Sequence, residues 1–105
     1  MIIFNTTYHV EQACVEEFIS FLGKEFVPAA TADGEMRSPR LTEVMADLPE
    51  GEVEGQSLAL QFEVADLDRL DAWYASIGSA LNETLIARFG SRVIGFSTLM
   101  KVIDL

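Results

Sequence analysis

Five polar side chains on two predicted strands are the residues of this sequence most suited to chemistry. Asn5, Thr7 and His9 alternate along the first strand, and Gln61 and Glu63 alternate along a later one. Successive strand residues point to opposite sides of a sheet, so the members of each set share a face. Histidine is the usual general base near neutral pH, and a carboxylate such as Glu63 could orient His9. We therefore predict that these residues form a ligand-binding set, with His9 as the one candidate for catalysis.

The same polar groups also have a purely structural interpretation. They can hydrogen-bond to one another and to water across an interface, which satisfies polar atoms that become buried. Arg37 and Arg40 could hold a ligand carboxylate, or could offset the acidic surface around them. Trp73 and Tyr74 fit core and helix-rim packing better than a stacking platform. Cys14 fits a buried or half-buried thiol better than a reactive one.

Several classes of site lack the residues that they need. One histidine and one cysteine cannot build a four-ligand zinc site, and no spaced set of histidines or carboxylates appears, so we expect no metal. Neither a GxGxxG motif nor a P-loop is present, so we expect no nucleotide cofactor and no cofactor of another kind. A lone cysteine excludes an intramolecular disulfide.

Length and charge limit the class of protein. The chain has 105 residues, of which 50% are hydrophobic, so we expect one domain over residues 1–105. Asp and Glu number 17 against 7 Lys and Arg, a formal net charge of −10. Such a surface repels phosphate backbones and anionic lipids, so nucleic acid and membrane partners are not expected. Without a signal peptide or a long apolar run, we expect a cytoplasmic protein.

Hydrophobic periodicity predicts the elements that must position the polar set. The predicted strands are residues 2–9, 40–46, 56–64 and 92–103, and the predicted helices are residues 12–27 and 67–89. The third strand has an apolar face that should carry both helices; it consists of Leu58, Leu60, Phe62 and Val64. Pro28 should end or kink the first helix. Asp66 should cap the start of the second helix, and Gly90 should end it.

The second strand is less well specified by the sequence. Neither of its faces is clearly the core side, and a proline at its start favours an edge position in the sheet. Residues 47–55 are acidic and contain proline and glycine, which is typical of a hairpin loop between antiparallel strands.

The order β-α-β-β-α-β predicts an α+β fold of the ferredoxin-like type. With right-handed crossovers, a four-stranded antiparallel sheet carries two helices on one face, with the first and third strands in the middle. The other face would be bare, and we expect Ile3 there together with one face of the last strand: Val93, Gly95, Ser97, Leu99, Lys101 and Ile103. A bare apolar face is usually an interface. We therefore expect a homodimer through this face, of the dimeric α/β-barrel type, with a cavity between the sheets.

Four blocks of the sequence resemble a known bacterial family. They are MIIFNTTYHV at the start, SPRL at residues 38–41, ALQFEV at residues 59–64 and RFGSRVIGFSTLM at residues 88–100. Together they resemble the family of unknown function numbered 4286 (DUF4286), found mostly in Bacteroidetes, although Leu58 stands where that family would have an aromatic residue. The resemblance implies a ferredoxin-like domain in a cytosolic bacterial protein. It implies no activity and no catalytic residues.

Three functions are compatible with these features. The first is a homodimeric small-molecule-binding or accessory domain. The second is a cofactor-independent enzyme, such as a monooxygenase or isomerase, with His9 as base; in dimeric α/β-barrel enzymes, polar residues on this face line a cavity for small aromatic or polyketide-like substrates. The third is a protein-interaction module that uses the acidic residues 50–54 or an edge strand.

Overall fold

The chain folds into one antiparallel sheet with two helical segments on one side. A computed structural model describes residues 1–45 and 55–105. The strands are β1 (Ile2–Glu11), β2 (Arg37–Glu43), β3 (Gly55–Val64) and β4 (Val93–Lys101). They lie in the order β2-β3-β1-β4, and every neighbouring pair is antiparallel. This confirms the predicted ferredoxin-like α+β fold, with the first and third strands at the centre of the sheet.

Each helical segment contains one wide π-turn. The first segment runs through a 3₁₀ turn, helix α1, a π-turn and helix α2: Gln12–Cys14, Val15–Phe21, Leu22–Phe26 and Val27–Ala30. The second runs through helix α3, a π-turn and helix α4: Leu67–Trp73, Tyr74–Gly78 and Ser79–Phe89. A 3₁₀ turn, Gly90–Arg92, leads into β4. Each π-turn contains one glycine, Gly23 in the first and Gly78 in the second.

The first helical segment continues past Pro28, where the sequence predicts an end or a kink. The N–H of Val27 bonds to the carbonyl of Leu22, five residues earlier, which makes the turn before the proline a π-turn. A wider turn gives the proline ring the room that a regular α-turn denies it. The helix therefore ends at Ala30 rather than before Pro28.

The core lies between the helices and the predicted face of β3. Leu58, Leu60, Phe62 and Val64 are all buried. Above them, Phe18 of α1 packs edge-on against Phe89 of α4, with ring centroids 5.2 Å apart. The predicted ends of the second helical segment are confirmed. Asp66 Oδ1 accepts a hydrogen bond from the N–H of Arg69 at 2.9 Å, and Gly90 has a φ of 57°.

Strand β2 is an edge strand, as predicted, and all its residues are exposed. It begins three residues earlier than expected, at Arg37. The register places Leu41 opposite Leu60, hence on the helix side, and Arg40 opposite Gln61, on the other side. This decides which face of the strand is which. Ala46 and the predicted loop up to residue 54 lie outside the described residues.

The prediction for the two faces of β4 is wrong by one residue. Val93 lies opposite Val10 and Gly95 opposite Tyr8, so this set faces the helices. Val93 is buried, and a Cβ on Gly95 would lie 2.8 Å from Cδ1 of Tyr8. The side chains on the bare face are therefore Ile94, Phe96, Thr98 and Met100. The more apolar set of β4 was assumed to face the helices, but in this edge strand that set lies on the bare face and is largely exposed.

Candidate functional site

The sheet face opposite the helices carries the candidate site, and we call it the open face. Residues opposite each other in antiparallel strands share a face, so the register defines its members. They are Arg37, Arg40 and Thr42 from β2, Ser57, Ala59, Gln61 and Glu63 from β3, Ile3, Asn5, Thr7 and His9 from β1, and Ile94, Phe96, Thr98 and Met100 from β4. All five sequence-predicted site residues lie on this face.

One row of polar residues crosses the whole open face. Arg40 lies opposite Gln61, Gln61 opposite Asn5, and Asn5 opposite Thr98. Neighbouring strands are about 4.8 Å apart, so side chains in one row can act on one small molecule. Thr98 was assigned to the wrong face of β4 from the sequence. The available signal in the sequence was that Thr98 shares its face of the strand with the large apolar residues Ile94, Phe96 and Met100.

Asn5 is the most unusual member of this row. Its side chain is on the face without helices, yet the residue is only 9% exposed. Nδ2 donates a hydrogen bond to Oγ1 of Thr7 at 3.2 Å, whereas the buried Oδ1 has no hydrogen-bond partner among the described residues. A buried acceptor without a donor costs roughly 1–3 kcal/mol. A ligand or partner that donates a hydrogen bond to Oδ1 would remove this cost.

The register separates His9 from Glu63. His9 lies opposite Ser57, whereas Glu63 lies opposite Ile3. His9 and Ile3 are six residues apart along β1, which is roughly 20 Å at the rise of a β-strand. The expectation that Glu63 orients His9 within one chain is therefore wrong. Two antiparallel strands bring only opposite residues together, and the spacing of the two residues within their own strands did not determine the register.

His9 lies instead at the far end of the sheet. It lines a shallow cleft of about 420 Å³ that also includes Glu11, Gln12, Ser91 and Arg92. The guanidinium of Arg92 already donates hydrogen bonds to the carbonyls of Phe89 at 3.0 Å and Arg88 at 2.8 Å, at the end of α4. This arginine therefore caps the helix. Among residues 1–45 and 55–105, His9 forms no ion pair with a carboxylate.

The β4 side of the open face is apolar. Ile94 is 63% exposed and Phe96 is 65% exposed, and Met100 lies farther along the same strand. Large apolar side chains in a contiguous patch on a protein surface usually mark an interaction site. The open face thus combines a polar row with an exposed apolar border.

A β-bulge shapes the opposite side of the open face. Between Arg37, opposite Glu63, and Arg40, opposite Gln61, β2 uses three steps where β3 uses two. Ser38, inside the bulge, has a φ of 54°, which costs a non-glycine residue roughly 1–2 kcal/mol. Beside it lies a cavity of about 150 Å³, which we call the bulge pocket; its lining is Ile3, Ser38, Arg40, Gln61, Phe62 and Glu63. Ser38 had no distinguishing signal in the sequence beyond its place before a proline.

Two of the remaining candidates, Trp73 and Cys14, lie in the core. Trp73 is buried in the core and donates a hydrogen bond from Nε1 to the carbonyl of Ala30 at 2.9 Å, whereas Tyr74 is half exposed. Cys14 is buried. Burial also raises the pKa of Tyr8, on the helix side of β1, to about 12, although a hydrogen bond with Thr6 opposes this shift. None of the described residues form a group of three or more metal-ligating side chains.

Comparison with known proteins identifies a family. A family model described as a domain of unknown function, DUF4286, matches residues 1–103. The chain belongs to the DUF4286 family. This match confirms the resemblance seen in the sequence blocks, and it brings no activity with it. None of the curated proteins matches the sequence of this DUF4286 member.

Two solved structures share the fold of this DUF4286 member. A dimeric ferredoxin-like protein from an uncultured marine organism has a TM-score of 0.72 at 14% identity, over 99% of this chain and 97% of its own. An ethyl tert-butyl ether D (EthD) family protein from Bacillus halodurans C-125 has a TM-score of 0.69 at 12% identity, over 98% of this chain and 100% of its own. At such low identity the likeness shows the fold alone. Among the described residues, no helix is long and apolar enough to cross a bilayer.

Proposed function

We propose that this protein is a homodimer that binds a small molecule on its open face, with residues 1–105 acting as one ferredoxin-like domain. The observation that carries the proposal is the buried, unpartnered Oδ1 of Asn5 in the middle of a polar row. Proteins rarely retain a buried acceptor without a donor. A bound molecule that donates a hydrogen bond to Oδ1, with Thr7 and Gln61 beside it, would satisfy this acceptor.

The homodimer is supported by the apolar border of the open face. Ile94, Phe96 and Met100 project from the face without helices, and a two-fold axis would pack each copy against the same surface of the other. One of the structurally similar proteins is described as dimeric, which agrees with this arrangement.

The enzymatic alternative has less support than the binding function. A cofactor-independent monooxygenase or isomerase with His9 as base would need a group to orient the imidazole, and Glu63 lies too far away within one chain. Among the described residues, His9 shares its cleft with Glu11 and Arg92 rather than with the polar row. The third candidate, an interaction module using residues 50–54, depends on a segment outside the described residues.

Native mass spectrometry of the protein as purified tests both parts of the proposal. We expect a species at twice the chain mass of 11.6 kDa that carries a reproducible small adduct. Asn5→Leu should keep the dimer and lose the adduct, because leucine cannot accept the hydrogen bond.

The matched control is Thr6→Val, which changes the neighbouring residue of β1 on the helix side, where Thr6 bonds to Ser97. It should keep both the dimer and the adduct. A dimer without any adduct would contradict the proposed ligand binding, and a monomer would contradict the proposed dimerisation.

A further inference from the structure

We propose that the bulge pocket binds a small carboxylate that carries a hydroxyl or amino group on the adjacent carbon. This inference rests on the proposed function, since the pocket is part of the open face, and it specifies the ligand class. The two anchor groups are Arg40 for the carboxylate and Glu63 for the hydrogen-bond donor.

The positive charge near the pocket selects an anion. Arg37 lies opposite Glu63 and Arg40 lies opposite Gln61, so two arginine positions and one glutamate position lie at this corner of the sheet, and Arg40 and Glu63 line the pocket. This local excess of positive charge occurs in a chain with a formal net charge of −10. Neither arginine forms an ion pair with any other residue in the described part of the chain. A guanidinium binds a carboxylate through two parallel hydrogen bonds, so a carboxylate is an anion that matches this site.

The bulge is what brings these two arginines together. In a regular strand, residues three apart point to opposite faces. The extra residue in β2 puts Arg37 and Arg40 opposite Glu63 and Gln61, which themselves share the open face. The chain maintains this bulge with Ser38 at a φ of 54°, a conformation that few residues other than glycine adopt. Backbone strain of this kind concentrates at functional sites.

The acceptors beside the arginine select a donor on the same ligand. The carboxylate of Glu63 only accepts hydrogen bonds, and the unpartnered Oδ1 of Asn5 lies in the row next to the pocket, opposite Gln61. A plain carboxylate would satisfy Arg40 and leave both acceptors without a donor. A hydroxyl or ammonium group one carbon away from the carboxylate can donate to Glu63, which lines the pocket.

The pocket size fits the smallest members of this class. Its volume of about 150 Å³ corresponds to about five water molecules at the volume of liquid water. Lactate and alanine each have six non-hydrogen atoms, and Ile3 offers an apolar wall for their methyl group. Larger substituents would extend along the open face toward Thr7 and Phe96.

The test is a ¹H–¹⁵N NMR titration of the full chain with L-lactate, L-alanine and acetate. Acetate has the carboxylate without the donor. We expect lactate, alanine or both to bind at least about tenfold more tightly than acetate, because each adds a hydrogen bond to a charged group. The two ligands then separate a hydroxyl donor from an ammonium donor. Equal binding of all three probes, or no binding of any, would overturn the proposal.

Two variants assign the roles. Arg40→Gln should lower the affinity for the preferred probe and for acetate alike, by at least about tenfold. Glu63→Gln should reduce the affinity ratio of the preferred probe over acetate to about threefold or less, without lowering the affinity for acetate. The control Lys24→Gln removes one positive charge from an exposed helical position and should leave every affinity unchanged. If Lys24→Gln weakens binding as much as Arg40→Gln does, the effect is general electrostatics and the pocket is not the site.

The adduct measurement separates this inference from the proposed function. If the purified dimer carries an adduct that Asn5→Leu removes, and none of the three probes binds, the ligand class is wrong and the open-face site stands. If the purified protein carries no adduct and none of the probes binds, both the proposed function and the proposed ligand class are wrong.

Discussion

Two glycines in equivalent π-turns should respond to alanine in opposite directions. Gly23 lies in the π-turn Leu22–Phe26, and Gly78 ends the π-turn Tyr74–Gly78. Helix propensity alone predicts that alanine stabilises either position by about 1 kcal/mol. At Gly23 a Cβ would meet no atom within 4 Å, so this gain should be realised.

At Gly78 the same Cβ would lie 2.5 Å from Cζ3 and 2.9 Å from Cη2 of Trp73. Trp73 is 3% exposed, and its Nε1 donates a hydrogen bond of 2.9 Å to Ala30, so the ring cannot move without weakening that bond. Overpacking costs about 1–3 kcal/mol and loss of the hydrogen bond costs about 1 kcal/mol, whereas the gain in helix propensity is about 1 kcal/mol. We expect Gly78→Ala to lower the free energy of unfolding by about 1–3 kcal/mol.

Urea unfolding at a fixed protein concentration measures both effects as shifts in the midpoint at constant m-value. Gly23→Ala should raise the midpoint and Gly78→Ala should lower it. If both variants raise it, the close packing of Trp73 on Gly78 does not limit the helix, and the reasoning is refuted.

Two further predictions concern Tyr8 and Ser38. The pKa of Tyr8 is raised from 10.0 to about 12 by burial, so the folded state keeps this proton longer than the unfolded state does. This shift contributes about 3 kcal/mol to the free energy of unfolding; the contribution is fully present below pH 10 and is lost as the pH rises to about 12. Urea midpoints at pH 9 and 11.5 should show this loss in Tyr74→Phe, which keeps Tyr8, but not in Tyr8→Phe. Ser38→Gly should raise the free energy of unfolding by about 1 kcal/mol, because glycine tolerates a positive φ, whereas Ser20→Gly in α1 should lower it by about 0.5 kcal/mol; a lower value for Ser38→Gly would contradict the assigned strain.

The sequence predicted the fold because its local patterns agree with one another. The alternation of Leu58, Leu60, Phe62 and Val64, the cap at Asp66 and the stop at Gly90 each depend on neighbours within a few residues. Local rules of this kind are readable from one chain. The order of the elements then leaves few topologies, and the ferredoxin-like one among them is observed.

The open face was predictable only in part because it depends on register. Alternation placed Asn5, Thr7 and His9 on one face, but it could not show which residues of β3 lie opposite them. The same limit reversed the two faces of β4, where the packing of Gly95 on Tyr8 decides the orientation. The bulge at Ser38 adds one residue without any strong local signal, and the relative placement of Arg37 and Arg40 depends on it.

The homodimer through the open face is tested most directly by sedimentation equilibrium of the wild type and two charge variants. Phe96 lies on the open face and is 65% exposed, and Ile86 lies on the outer side of α4 and is 56% exposed. The wild type and Ile86→Glu should sediment at twice the chain mass of 11.6 kDa, and Phe96→Glu should sediment as a monomer. A monomeric wild type, or dissociation by Ile86→Glu rather than by Phe96→Glu, would contradict the proposed assembly.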